Sequence, residues 1–551
     1  MPNWKPEPEL LTDLDAAIPG ILETQKPNGE FGTEPWISTD QNVLLALAAA
    51  WSLDGSEHHH NDDLLKAIVK GGDALIDHMD EAGMWTFRKK DHSTWGQIYQ
   101  PWIYSRWMRA YQRTREAFEE ADRERWDKAL LHGFTGISET CFERLHNIPM
   151  HHAMGLYAAG VVFDRDDWRG QAGDFAVRIA NHQSDYGWWP EHDAPVIMYN
   201  LVYVESLGIY YTLSQDARVL PALARSATYH ADFVYPDGSM VETVDSRNHY
   251  RASIRPGNPG FSHTPEGRGF LMHQHAKLKA AGKSFDADYA SNMLLHAGEG
   301  EAVVPAAASD VYDGRMGDLA AVRRRRPWYI CSNAFRQEPH DIRWGQDFQN
   351  FVSLFHDRVG LIMGGGNTKM QPLWSNLTVG DRSLLHHEPG VEVKNFTVSS
   401  LLHVPDEASL VEESDTEGVR LRYGDVTATF TIHRTSDTEA HIALAVDANG
   451  VEEPIEAHLT FVPNVDKPVL LGGESFTFSE APAAFPIDVN TSLEHNGWRL
   501  DLPAGSRVEW PAPPHNPYAK GGESPIHDGR IVVALPFSES VTRFDVVLQV
   551  T

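Results

Sequence analysis

The sequence predicts an α+β multidomain protein, an N-terminal (α/α) toroid or barrel followed by a C-terminal antiparallel β-sandwich. Three observations carry that reading. Apolar residues recur at helical spacing through the first 300 residues, turn glycines recur there at a fixed interval, and from Trp328 onward the pattern changes to period two. At 551 residues and 42% apolar content the chain can bury a large core and fill two or more domains. The expected division is a helical catalytic domain over 1–305, a linker over 306–327 and a sandwich over 328–551.

Helices are expected over 40–53, 63–79, 97–117, 120–133, 149–163, 169–182, 197–214, 216–232, 265–282 and 284–297. Between them a turn glycine stands beside an aromatic or apolar residue, in Asn28-Gly29-Glu30-Phe31, Ala82-Gly83-Met84-Trp85, Tyr186-Gly187-Trp188-Trp189 and Asp237-Gly238-Ser239-Met240. These glycines lie 54, 104 and 51 residues apart, which is a repeat of about 52 with one step doubled. Two helices per unit make a repeated hairpin, and hairpins of this length close into a toroid with the glycine loops on one face. A helix stop explains each glycine singly but not the interval. Near 300–325 the helical period breaks, and Arg323-Arg324-Arg325-Arg326 reads as a solvated or interdomain contact. Beyond it, segments such as Val426-Thr427-Ala428-Thr429-Phe430-Thr431-Ile432 and Val541-Thr542-Arg543-Phe544-Asp545-Val546 alternate as sandwich strands do.

A formal charge of −30 excludes non-specific nucleic-acid binding and an anionic membrane surface as partners. Cys141 and Cys331 give neither a disulfide framework nor a thiolate zinc site. No run of 18 apolar residues and no apolar leader occurs, so the chain reads as cytoplasmic unless a leader has been removed. No cofactor is expected. A divalent metal is conceivable, but His58-His59-His60 points three ways and no spaced ligand set such as HExxH is present.

Three polar segments compete for the chemistry. Asn147 and the pair His151/His152 open one apolar helical run, and Tyr199, followed by Asn200, opens another. Helix openings hold side chains rigidly at a cavity mouth, and histidines facing a tyrosine suggest a base and an acid. The plainer reading makes Tyr199 a core-edge aromatic and His151 a polar cap. Trp188-Trp189 reads either as a sugar-stacking platform or as a plug for the toroid end. The third segment carries Arg247, His249, Tyr250 and Arg251, with Arg268 further on; its arginines either bind substrate carboxylates or pair with Glu242, Asp245 and Glu266.

The order toroid then sandwich, with Tyr199 following the two histidines by 48 and 47 residues, resembles the two-domain polysaccharide lyases that include heparinase II/III and oligo-alginate lyases. Met198-Tyr199-Asn200-Leu201 resembles the family's tyrosine segment, and Tyr235-Pro236-Asp237-Gly238-Ser239 with Asp245-Ser246 is similar to the loop that follows it. The family's asparagine normally stands immediately before its histidine, whereas Asn147 lies four residues ahead of His151. The resemblance implies β-elimination on a uronic-acid glycan, so an acidic polysaccharide or oligosaccharide is the expected partner. It implies Tyr199 as acid, and also as base if no other group serves, with His151 or His152 as base or neutraliser. His249 and Tyr250 are second choices, and Asn147, Trp188, Trp189, Asn200, Arg247, Arg251 and Arg268 are expected to bind substrate. Two rivals remain. One is a toroid glycoside hydrolase pairing Glu191 or Asp193 with Glu242 or Asp245; the other is a glycan-binding protein without turnover. Sequence leaves the oligomeric state open.

Overall fold

The computed structural model describes residues 2–551 apart from 192, 340–341, 386–397, 399, 412–415 and 449. The chain divides into two compact units. The first contains the residues up to Glu191, Met198–Tyr229 and Pro256–Pro305; the second contains Ala306–Thr551, His230–Arg255 and a short segment ending at Ile197.

The first unit is helical. In chain order its helices are α1 (Pro8–Glu23), α2 (Leu44–Ser52), α3 (Asp62–His78), α4 (Pro101–Thr114), α5 (Glu120–Thr140), α6 (Asn147–Val162), α7 (Asp166–Asn181), α8 (Ile197–Ser214), α9 (Leu220–Asp232), α10 (Pro265–Ala280) and α11 (Ala287–His296). Sequence sorts them into two classes. α3 is amphipathic, with Asn61 capping the Asp63 and Leu64 amides and Leu64, Ile68 and Leu75 on its one buried stripe. α2 is apolar throughout and buried from Leu44 to Trp51, so it must be surrounded. The surrounded helices form an inner ring. α2 packs on α4 and α4 on α6. His151 of α6 bonds Ser206 of α8, the Thr212 hydroxyl of α8 donates to the His296 carbonyl of α11 at 2.8 Å, and α11 packs back on α2. Outside them α3 lies on α2, and α5 and α7 lie on α6.

The repeat seen in the sequence is a repeat of hydrogen bonds. At Lys26–Gly29, Asp80–Gly83, Ser184–Gly187 and Tyr235–Gly238 the glycine amide donates to the first carbonyl of the turn. In each case the first residue's own amide donates to the carbonyl one place beyond the glycine. All four glycines have φ between 86° and 94°, the left-handed region that L side chains avoid. A Cβ on Gly29 or Gly187 would also stand 2.1 or 2.3 Å from a carbonyl of α3 or α9. The doubled step is the α5–α6 connection, which spans 141–146 without such a turn. Since outer and inner helices alternate, the stretches that lead into α2, α4, α6 and α8 gather at one face of the ring.

The second unit holds two large sheets whose strands pair antiparallel. One runs Ala483–Pro486, Arg507–Ala512, Arg530–Pro536, Ile455–Phe461, Gly360–Met363, Val352–His356, Trp328–Asn333, Ala320–Arg325, Val311–Met316. The other centres on Val426–Arg434, Glu439–Asp447 and Arg543–Val550. Val426, Ala428, Phe430 and Ile432 from the second sheet and Ile330, Leu354, Leu459 and Val533 from the first belong to one buried cluster, as two facing sheets require. The toroid and the antiparallel sandwich expected from sequence are both present.

Three details differ from the sequence reading. α1 was not expected; Pro19 interrupts its pattern, yet Leu10, Leu14 and Ile18 bury one face. Residues 306–327 are not a linker, because Val311–Met316 and Ala320–Arg325 pair with each other and with Trp328–Asn333. The arginine run hides the strand: Arg323 pairs with Asp313 and Glu417, and Arg326 with Asp310 and Asp357. Finally, the helix expected from residue 97 begins at Pro101, and Trp85–Arg88 with Thr94–Ile98 forms a hairpin ahead of it. Among the described residues no helix is long and apolar enough to cross a membrane.

Candidate active site

The opening of α6 is the polar focus of the helical unit. Asn147 is its first residue, 2% exposed, and its Nδ2 donates to Glu191 Oε2 at 2.9 Å. Glu191 lies in a short strand, Pro190–Glu191, just ahead of α8. One turn into α8 from Tyr199, Tyr203 is fully buried; its hydroxyl lies at the Asn147 backbone amide, and burial followed by the charge of Glu191 pushes its pKa up. Tyr199 precedes Tyr203 by four residues and so shares its helix face one turn nearer the mouth, where it is half-buried. The amide donors at the start of α6 and its positive dipole end favour an anion at this point.

The histidines are set deeper. His151 is 1% exposed, with Nε2 2.8 Å from the Ser105 hydroxyl and Nδ1 3.1 Å from that of Ser206. Ser206 gives its own proton to the Val202 carbonyl, so His151 donates to it from Nδ1. Burial, then Arg106 and Arg109, hold its pKa well below the usual histidine range. His152 is buried beside the Tyr99 backbone carbonyl, and burial lowers its pKa to about 3. So weak a base is poorly matched to removing a carbon-bound proton near neutral pH. His151 joins helices, and neither side chain lines an open surface.

The repeat itself gives structural places to two residues expected to bind substrate, Trp189 and Asn200. Trp189 Nε1 donates to the Ile179 carbonyl ten residues back, as Trp85 Nε1 donates to Leu75, also ten back. Trp189 is 1% exposed and stacks on Tyr203 at 4.9 Å, so it plugs the ring, and Trp188 is buried as well. Asn200 Oδ1 accepts the Trp189 amide just as Gln41 Oε1 accepts the Phe31 amide. Its Nδ2 donates to Ser226 Oγ, which binds the Gly187 carbonyl, so Asn200 is a strut of the turn. Arg268 ties the Glu301 and Ser262 carbonyls at 2.6 and 2.7 Å and holds α10 to the following chain.

The 242–251 segment belongs to the strand-rich unit and is built into it. Glu242 accepts the Tyr235 hydroxyl and the Gly365 amide, both at 2.9 Å. Asp245 accepts the backbone amides of Arg247, Asn248 and Ile197, and burial raises its pKa. Its bond to Ile197 caps the start of α8 two residues before Tyr199. Both carboxylates are buried and hydrogen-bonded within their own surroundings. Arg247 donates to the Trp344 carbonyl and lies over its ring. His249 is buried 2.9 Å from Asp528, and burial outweighs that carboxylate to lower its pKa. Tyr250 is buried beside Tyr235, and burial pushes its pKa up. Arg251 is exposed.

The structure therefore brings Asn147 together with Glu191, which the sequence offered only as a hydrolase carboxylate, and with Tyr203, which it did not single out, and Tyr199 lies one turn before Tyr203 on α8. The signal for Tyr203 was its i+4 spacing from Tyr199; that for Glu191 was a lone carboxylate between two helix-opening segments. Among the described residues no cluster of three or more His, Cys, Asp or Glu side chains is placed to hold a metal ion. His59 and His60 stack on each other, and His60 packs on Trp51.

Helical toroid and antiparallel sandwich in one chain make the two-domain fold of the polysaccharide lyases. Over 98% of its length the chain is similar to chondroitinase AC lyase, at 11% identity and a TM-score of 0.51, covering 82% of that chain. It is similar to heparinase III at 12% identity and a TM-score of 0.54, over 99% of this chain and 85% of that one. To a Paenibacillus xanthan lyase it is similar at 12% identity and a TM-score of 0.55, over 99% of this chain and 57% of that one. No protein-family model matches the sequence, and no curated protein does. At these identities the likeness is one of fold.

Proposed function

We propose that the protein is a polysaccharide lyase that cleaves a uronic-acid glycan by β-elimination. The observation that supports this most directly is the meeting of Asn147, Glu191 and Tyr203 at the opening of α6, with Tyr199 one turn along α8, within a fold shared along the whole chain with polysaccharide lyases. The C5 proton of a uronate is weakly acidic because the neighbouring carboxylate is negative. Asn147 Nδ2, fixed by Glu191, and the positive end of α6 supply donors that neutralise that carboxylate as the enolate-like charge develops. Tyr199 as tyrosinate takes the C5 proton; the C4–O bond breaks, a C4–C5 double bond forms, and the same hydroxyl returns the proton to the leaving oxygen. No water is consumed. With both histidines buried, Tyr199 carries the acid and the base role.

The test is a screen of alginate, glucuronan, heparinoids and ulvan for gain of near-ultraviolet absorbance. An unsaturated uronide from at least one polymer is the expected result. New reducing ends without absorbance would replace the reading with hydrolysis, and retention of polymer without cleavage would replace it with glycan binding.

A further inference from the structure

The hairpin formed by Trp85–Arg88 and Thr94–Ile98 is used by nothing described so far. It lies in the stretch leading into α4, and the alternation of outer and inner helices places that stretch at the face of the ring where α6 and α8 open. Its buried end is anchored: Trp85 is 2% exposed and bonds the Leu75 carbonyl. Its flank is held by Lys90, which donates to the Thr33 and Pro35 carbonyls at 2.7 and 3.0 Å and pairs with Asp40. The tip is a tight turn in which the Lys89 amide donates to Ser93 and the His92 amide to Lys89.

Between anchor and tip the composition is the reverse of the chain's own. Trp95 is 50% exposed, an uncommon state for a tryptophan. Phe87 packs against it at 4.8 Å, and Lys89 Nζ lies 5.1 Å from its ring centroid. Arg88, between Phe87 and Lys89 in the strand, is exposed. With Lys90 paired to Asp40, Arg88 and Lys89 make a local positive field in a protein of net charge −30, and the Trp95 ring beside Lys89 offers a flat apolar face. A flat apolar face beside a cation suits a sugar ring that carries a carboxylate, since the C–H face stacks while the anion is drawn to Lys89 and to the positive field that Arg88 adds to the hairpin.

We propose that this hairpin is a distal saccharide subsite, taking an acidic sugar unit of the same chain whose reacting unit lies at Asn147 and Tyr199. The proposal rests on the lyase reading for its substrate class, and its test separates the two. Native protein, Trp95→Ala, Arg88→Glu/Lys89→Glu and Tyr199→Phe are run through native gels cast with alginate, glucuronan or heparan sulfate, and with dextran as a neutral polymer. The native protein and Tyr199→Phe should be retarded by an acidic polymer and not by dextran. Both hairpin variants should lose most of that retardation, a weakening of roughly tenfold for one stacked ring. On the polymer that is cleaved, Trp95→Ala should raise KM while leaving turnover of a disaccharide- or trisaccharide-sized substrate unchanged. Wild-type retardation of both hairpin variants overturns the proposal, as does a native protein that no acidic polymer retards. If retardation depends on Trp95 but no polymer gains absorbance, the subsite stands and the lyase reading falls.

Discussion

Asn147 and Glu191 illustrate how a residue's role follows from its one or two bonds. An asparagine at the first position of a helix offers Nδ2 to an anion, but only if its amide group is held in one orientation. Glu191, 2.9 Å away, holds it. Asn147→Ala should lower kcat by about 10²–10³, the cost of losing a preorganised donor at developing charge, with far-ultraviolet circular dichroism unchanged. Glu191→Gln should do less, because a carboxamide oxygen still accepts from Nδ2; steady-state kinetics on one cleaved polymer ranks the two, and equal losses would make Glu191 more than an orienting group. Tyr199→Phe removes the proposed proton carrier, so elimination should fall by at least about 10²–10⁴ while thermal unfolding barely moves. A mutant that melts early but keeps its specific activity would make Tyr199 a core residue.

At the scale of elements His151 is a tie between helices. His151 links Ser105 of α4, its own α6 and Ser206 of α8. His151→Ala leaves a cavity and two serines without their partner, an expected cost of about 2–4 kcal/mol, read as a lower urea midpoint. His152 and His230 add a pH dependence, since burial lowers the pKa of each to about 3 in the fold while an unfolded histidine titrates near 6.5. As pH falls below that value the unfolded chain takes up protons that the folded chain refuses, so stability is full above it and is lost downward toward pH 3. Each contributes a slope of up to about 1.4 kcal/mol per pH unit. Asp232 opposes them in part, because burial raises its carboxyl to about 6 and favours the fold as pH drops from there toward 4. Urea unfolding at pH 7.5 and pH 5 should show the lower midpoint at pH 5; equal midpoints would contradict the assignment of neutral buried histidines.

For the whole molecule, the class and order of the two domains were legible because they rest on periodicity, which survives any detail of packing. The toroid was legible from a glycine interval of about 52, and each of those glycines proves to occupy the same turn with the same two bonds. What was not legible was burial. Nothing in the letters Trp188-Trp189 or His151-His152 says that the side chains point inward, and only comparison of Trp189 with Trp85, and of Asn200 with Gln41, shows them filling repeat positions. The 242–251 segment misled for a related reason: its polar density serves bonds to strands more than a hundred residues away, as from Glu242 to Gly365. The strand hidden in the arginine run and the hairpin before α4 were lost because charged residues in sheet positions, Arg324 even at a buried one, mask alternation. The central claim, cleavage by elimination, is tested most directly by digesting the cleaved polymer in heavy-oxygen water and weighing the products. Elimination predicts an unsaturated fragment one water lighter than the hydrolytic one and free of the label. A saturated fragment carrying one labelled oxygen would contradict it.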